Sequence, residues 1–169
     1  MITPDYAMMM ARYNRWQNRC AFEAAETLDD KARDLDRGAF FGSIRHTLNH
    51  LYWGDSIWMN RFDPSVAKPS RPGRQSAYEF EDWQTLADAR PILDEAIISW
   101  ASRLKMSDLE GELSWYSGVL KSNVTTPLAL CVLHFFNHQT HHRGQVHAML
   151  TAAGCKTDDT DLFAMPESV

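Results

Sequence analysis

The sequence predicts an all-α protein, a four-helix bundle with an irregular or short-strand segment between the third and fourth helices. Three observations predict it. Apolar residues recur at spacings of three and four along four long stretches, which marks one face of a helix. No strand is long enough to build a sheet. A length of 169 residues with 44% hydrophobic and 23% charged content suits one core, so a single domain over 1–169 is expected.

Helix one is expected over about 5–29, where Met9, Tyr13, Trp16, Cys20, Ala24 and Leu28 share a face. The charged run DDKARDLDRG follows. After Gly38, Phe40, Ile44, Leu51, Trp58 and Phe62 share the face of helix two, which should end near Arg61, before Pro64. The run DPSVAKPSRPGRQ over 63–75 holds three prolines and a glycine and reads as a long surface loop. Helix three carries Trp83, Leu86, Leu93, Ile97, Trp100 and Leu104, with a kink or break expected at Arg90 and Pro91. Residues 106–126 mix aromatic, β-branched and turn residues and fit irregular structure with short strands. Helix four should open at Pro127, with Thr125 and Thr126 as candidate caps, and stop at Gly154.

Several function classes are excluded by composition. A net charge of −5 and a pI near 5.8 argue against a nucleic-acid partner, which needs clustered Lys and Arg. No apolar run reaches the ~18 residues of a membrane span, and the N-terminal MITPDYAMMMARYNRW lacks the pattern of a signal peptide. A soluble, cytoplasmic protein with no membrane partner is expected. Cys20, Cys131 and Cys155 are widely spaced, without a CxxC pair, and are expected to be reduced, with Cys131 buried. No Walker loop, GxGxxG turn or GxSxG elbow occurs, and a Cys131–His nucleophilic pair has little to recommend it.

The chemistry is concentrated in the histidines. Four of the seven, His134, His138, His141 and His142, fall within nine residues, with His147 after them. On a helical wheel His138 lies about 40° and His142 about 80° from His134, inside the arc of Cys131, Phe135, Val146 and Met149. His134 and His141 sit at its shoulder. A pair four residues apart can aim two imidazoles at one metal, and burying neutral imidazoles without partners is costly. Helix two offers His46 and His50 as a third ligand; His50 lies nearer the apolar arc, with small residues Ser43 and Gly54 beside it. An isolated helical histidine is more often a surface or hydrogen-bonded core residue, so the weight rests on the three together. Gln139, Thr140 and His141 separate the pair where a zincin would carry glutamate, which disfavours metalloprotease chemistry.

Three segments, YNRWQN, FFGSIRHTLNHLYWGDSIWMNRF and HFFNHQTHHRGQVHAML, resemble the DinB/YfiT-like family over roughly residues 5–165. The NHQTHHRGQ segment is the specific part, together with a histidine eight residues before a tryptophan, His50 to Trp58. The resemblance implies a four-helix bundle holding a divalent metal, zinc or nickel, on residues that correspond to His50, His138 and His142. It also implies a homodimer. The stripe of Met and aromatic residues on helix one is a candidate partner surface, although such a stripe more often forms core. Characterised relatives include thiol-dependent S-transferases and a thiol-dependent maleylpyruvate isomerase; the family is unrelated to the lesion-bypass polymerases of similar name.

The leading expectation is a metal-dependent thiol S-transferase that joins a low-molecular-weight thiol to an electrophile, with His50, His138 and His142 as ligands. His134 and His141 are candidates to orient a ligand or relay a proton, or else surface residues. Arg143 could meet an anionic substrate, but its wheel position near 180° suits a structural or interface salt bridge. The alternatives are metal-assisted hydrolysis, which needs a nearby general base, and a non-catalytic metal-binding bundle. A closed structural site would need a fourth ligand, such as His46 or Cys131. The loop over 63–75 and the segment over 106–126 are the candidates to shape a substrate pocket.

Overall fold

The computed structural model describes residues 2–118 and 120–167, and four long helices account for most of them. Helix α1 spans Pro4–Glu26: Thr3 caps it by accepting the Tyr6 amide at 3.1 Å, with Pro4 and Asp5 in the first turn. It stops short of the expected 29, because Thr27 turns the chain by donating its hydroxyl to the Ala24 carbonyl. A short helix α2, Asp30–Asp34, follows, and its Arg33 donates to the Ala25 and Leu28 carbonyls left open at the end of α1.

Helix α3 spans Ile44–Phe62, capped by Ser43, whose hydroxyl accepts the His46 amide. Phe40 does not share its face. It lies in the turn bridged between Ala39 and Gly42, where Gly42 takes φ +78°, and is 83% exposed. The helical period therefore cannot be extended back through it.

The segment after α3 contains a 3-10 stretch, Gly73–Tyr78, and is pinned to α3 on either side of it. Trp53 donates its indole N–H to the Arg71 carbonyl at 2.7 Å, and Asn49 accepts the Phe80 amide at 2.7 Å. Helix α4, Trp83–Arg103, starts at Asp82 and runs unbroken through Pro91, contrary to the expected break. The proline ring matches helical φ, and buried Leu86, Leu93 and Ile97 hold both halves against the core despite the missing amide bond.

A short helix α5, Met106–Leu109, leads into an antiparallel hairpin of β1, Glu112–Ser117, and β2, Ser122–Pro127, in which Trp115 pairs with Val124. Helix α6, Leu128–Ala152, follows directly. Thr125 and Thr126 lie in β2 and do not cap it; Pro127 takes the cap position, and the Leu128 amide donates to the Gly111 carbonyl instead. Gly154, at φ +80°, follows its C-terminus as expected.

The core is layered. One apolar cluster gathers Ala7, Ala11, Met59, Ile97, Val132 and Phe135; another gathers Phe22, Ile44, Leu48, Leu86, Val146 and Leu150. Between them, on every long helix, sit buried polar residues. Asp55 of α3 receives Arg90 at 2.7 Å and Gln139 at 3.0 Å; Arg90 pairs with Asp94 at 2.8 Å; Asn18 donates to Asp94 at 2.8 Å; and Arg143 donates to Asn14. This layer engages α1, α3, α4 and α6 together. Arg143 is therefore a buried hydrogen-bonding residue of the core, and among the described residues it forms no salt bridge. Cys131 is buried as expected, and none of the three cysteines is in a disulfide. Among the described residues no helix is long and apolar enough to cross a membrane.

Candidate metal centre

Helices α3 and α6 run antiparallel past one another, and three pairs meet across them in sequence order. His50 faces His142 with ring centroids 4.6 Å apart, Gly54 faces His138, and Trp58 faces His134 at 5.1 Å. Positions four apart on each helix lie one above the other, so the contact stripe repeats every turn. The middle rung requires glycine, because a Cβ on residue 54 would stand 2.7 Å from Cε1 of His138.

At the first two rungs His50, His138 and His142 converge, with one ligand atom from each lying within 4.8 Å of the others. Nε2 of His50 and Nε2 of His138 stand 3.2 Å apart. Two imidazoles on one tetrahedral zinc, with bonds of about 2.0–2.1 Å, would place their nitrogens about 3.3 Å apart, so the spacing fits. Two lone pairs at this separation repel unless one nitrogen carries a proton or both turn to a shared cation.

The outer nitrogens are already engaged. His50 Nδ1 meets the Ser76 hydroxyl at 2.8 Å, and His142 Nδ1 meets Gln145 Oε1 at 2.8 Å. Gln145 accepts only if His142 carries its proton on Nδ1, which leaves Nε2 free as a ligand atom. Phe41 stacks on His50 at 4.0 Å and 25°, covering one face of the ring whose edge nitrogens meet Ser76 and His138.

Burial, reinforced by the charge of His142, pushes His50 down to about 4. Burial and the surrounding histidines push His138 down to about 3. His142 is also lowered by burial, against the opposing pull of its Gln145 bond. All three rings are therefore neutral at pH 7, the form that ligates a metal.

The other histidines stay outside this group. His46 tilts against Tyr78 at 4.7 Å, His134 lies exposed against Trp58, His141 lies exposed with its ring 4.8 Å from that of His142, and His147 meets Thr157. Cys131 packs in the α6 interior. Among the described residues, no cysteine, carboxylate or further histidine joins the three. Ser76 and Phe41 were not legible as site residues, since both lie outside the helical pattern. Gln145 was within reach, three positions after His142 on the same helix.

Comparisons with known proteins give the family and the fold. The chain is 26% identical over 161 residues to Protein DinB of Bacillus subtilis (strain 168), covering 93% of this chain and 91% of that protein. Its fold is similar to the crystal structure of a DinB-like protein from Bacillus cereus ATCC 10987, with a TM-score of 0.60 at 15% identity, covering 85% of this chain and 90% of that one. The DinB family profile matches residues 1–168. With the profile spanning almost its entire length, the chain belongs to the DinB family.

Proposed function

We propose that His50, His138 and His142 hold a divalent cation, zinc or nickel, and that the protein is a metal-dependent thiol S-transferase. The observation that carries this reading is a cluster of three converging imidazoles with no fourth protein ligand among the described residues. Three protein ligands with one position left open is the pattern of a catalytic metal, whereas a structural zinc is closed by four. A bound cation would supply Lewis acidity, lowering the pKa of a thiol that enters beside the imidazoles.

The chain's own residues do the positioning. Ser76 and Gln145 hold the outer nitrogens of His50 and His142, Phe41 fixes the plane of His50, and the aromatic wall of Phe41 and Trp53 limits water on that side. Hydrolysis would require a general base within reach of the site, and no carboxylate joins the cluster among the described residues. A low-molecular-weight thiol and an electrophile are the proposed substrates.

The test is elemental analysis of tag-free protein beside His50→Ala, His138→Ala and His142→Ala, followed by assay of thiol loss against alkylating electrophiles. Near-stoichiometric metal that falls in all three variants, with metal-dependent thiol consumption, is the expected result. Protein that stays metal-free after reconstitution with zinc and nickel would overturn the reading.

A further inference from the structure

Arg61 is a cation on the same helix as His50, three residues beyond Trp58. It projects from the last turn of α3, and its guanidinium lies over Trp58 at 4.5 Å and over Trp115 of β1 at 5.1 Å. The two indoles touch at 5.4 Å, so hairpin and helix together build an aromatic seat for it. Trp58 also packs His134, whose ring is 5.9 Å from that of His138.

This arginine is half-buried, and among the described residues it has no hydrogen-bond or ion-pair partner. Its acidic neighbour in sequence, Asp63, is taken by Arg103 at 2.7 Å. Stacking engages the faces of a guanidinium and leaves its edge N–H groups, a planar fork matched to a carboxylate, free to donate. A half-buried cation held on two indoles without a counter-charge is a site prepared for an anion.

The spacing ties this fork to the histidines. Trp58 is one helical turn, about 6 Å, beyond Gly54 on the α3 axis. A helical side chain leans toward its own N-terminus, so Arg61 reaches back over Trp58 toward His134 and the candidate metal centre.

We propose that Arg61, seated on Trp58 and Trp115, binds a carboxylate of the substrate whose reacting end lies at the three histidines. The assignment of that reacting end rests on the transferase reading; the carboxylate site itself does not. The carboxylate could belong to the thiol or to the electrophile, and matched probes separate the two. The bland alternative is an arginine that merely shields two indoles, which predicts no preference for a carboxylate.

The experiment is titration calorimetry on the full chain as purified, with its metal content measured. Glutathione is compared with its diethyl ester, and cinnamate with cinnamamide. The parent should favour the carboxylate form by about tenfold or more in at least one pair, Arg61→Met should abolish the preference, and Arg61→Lys should retain part of it. A preference confined to glutathione assigns the carboxylate to the thiol; one confined to cinnamate assigns it to the electrophile. Thermal melts check that both variants are folded, and Arg61→Gln replaces Arg61→Met if that variant is not. No preference in either pair, or one that survives loss of the guanidinium in a folded variant, overturns the proposal. An Arg61-dependent preference in protein that takes up no metal and consumes no thiol would overturn the transferase reading and leave the carboxylate site standing.

Discussion

Gly54 and His138 share a space that admits no side chain on the first: a Cβ there would fall 2.7 Å from Cε1 of the imidazole. This contact lets α3 and α6 approach at the level where the three histidines meet. Gly54→Ala should displace the His138 ring while leaving the fold intact, because alanine favours the helix by up to about 1 kcal/mol. Metal affinity should fall by about tenfold or more, as expected when a ligand loses its supported orientation. Chelator competition measures the first effect and a metal-free melt the second; unchanged affinity would show that the ring has room to spare.

Ser76 reaches His50 from the 3-10 stretch after the proline-rich loop. Ser76→Ala removes the partner of His50 Nδ1 and should weaken metal retention by roughly 10–100-fold, with little change in the helical circular dichroism spectrum. Restoration of affinity by Ser76→Thr would identify the hydroxyl as the cause. Equal affinity in Ser76→Ala would remove it from the site.

Acid should destabilise the metal-free protein through the histidine cluster. The folded chain holds His50 near 4 and His138 near 3, below the ordinary 6.5, chiefly by burial. As pH falls below about 6.5, the unfolded chain takes up protons that the folded chain refuses, so stability is lost progressively toward pH 4. Each such group adds at most about 1.4 kcal/mol per pH unit to the slope. Urea titrations of the metal-free parent and of His138→Gln between pH 7 and pH 5 should show a shallower slope in the variant. Parallel slopes would mean that the cluster is not the source.

The buried polar layer should be the least forgiving part of the core. Asp55 is fully buried and joins Arg90 to Gln139, so Asp55→Ala takes the acceptor from the Gln139 amide and reduces the ion pairing of Arg90 to its Asp94 bridge. A loss of about 3–5 kcal/mol is expected for breaking such a pair from one side. Replacing Asp55, Arg90 and Asp94 together by apolar residues should recover much of it. Denaturant midpoints decide; a cost below about 1 kcal/mol for Asp55→Ala would show that water or neighbouring groups compensate for the loss.

The helices and the histidine pair of α6 were legible for one reason: both are periodic. Trp83, Leu86, Leu93 and Ile97 announce α4 by spacing alone, and His138 and His142 fall on the apolar arc of α6 by the same arithmetic. The period misled where a residue lay outside its helix. Phe40 matches the α3 spacing yet sits in the Ala39–Gly42 turn, and Thr125 and Thr126 look like caps yet pair in β2. Arg90 interrupts the apolar pattern, which suggested a kink or break, and Arg143 suggested a structural or interface salt bridge; both are inside, in a polar layer that no single helix reveals.

What the sequence by itself determined is local: four long helices, the glycine stop at Gly154, and two histidines one turn apart on α6. These depend on contacts within a few residues, and a linear pattern encodes them. Only the tertiary structure decided that Gly54 is the floor under His138, that Ser76 and Phe41 meet His50, and that Trp115 of the hairpin joins Trp58 under Arg61. Each of these joins residues from separate elements, and their meeting is set by how α3, α6, the pinned loop and the hairpin pack, a relation that no periodicity along one element contains.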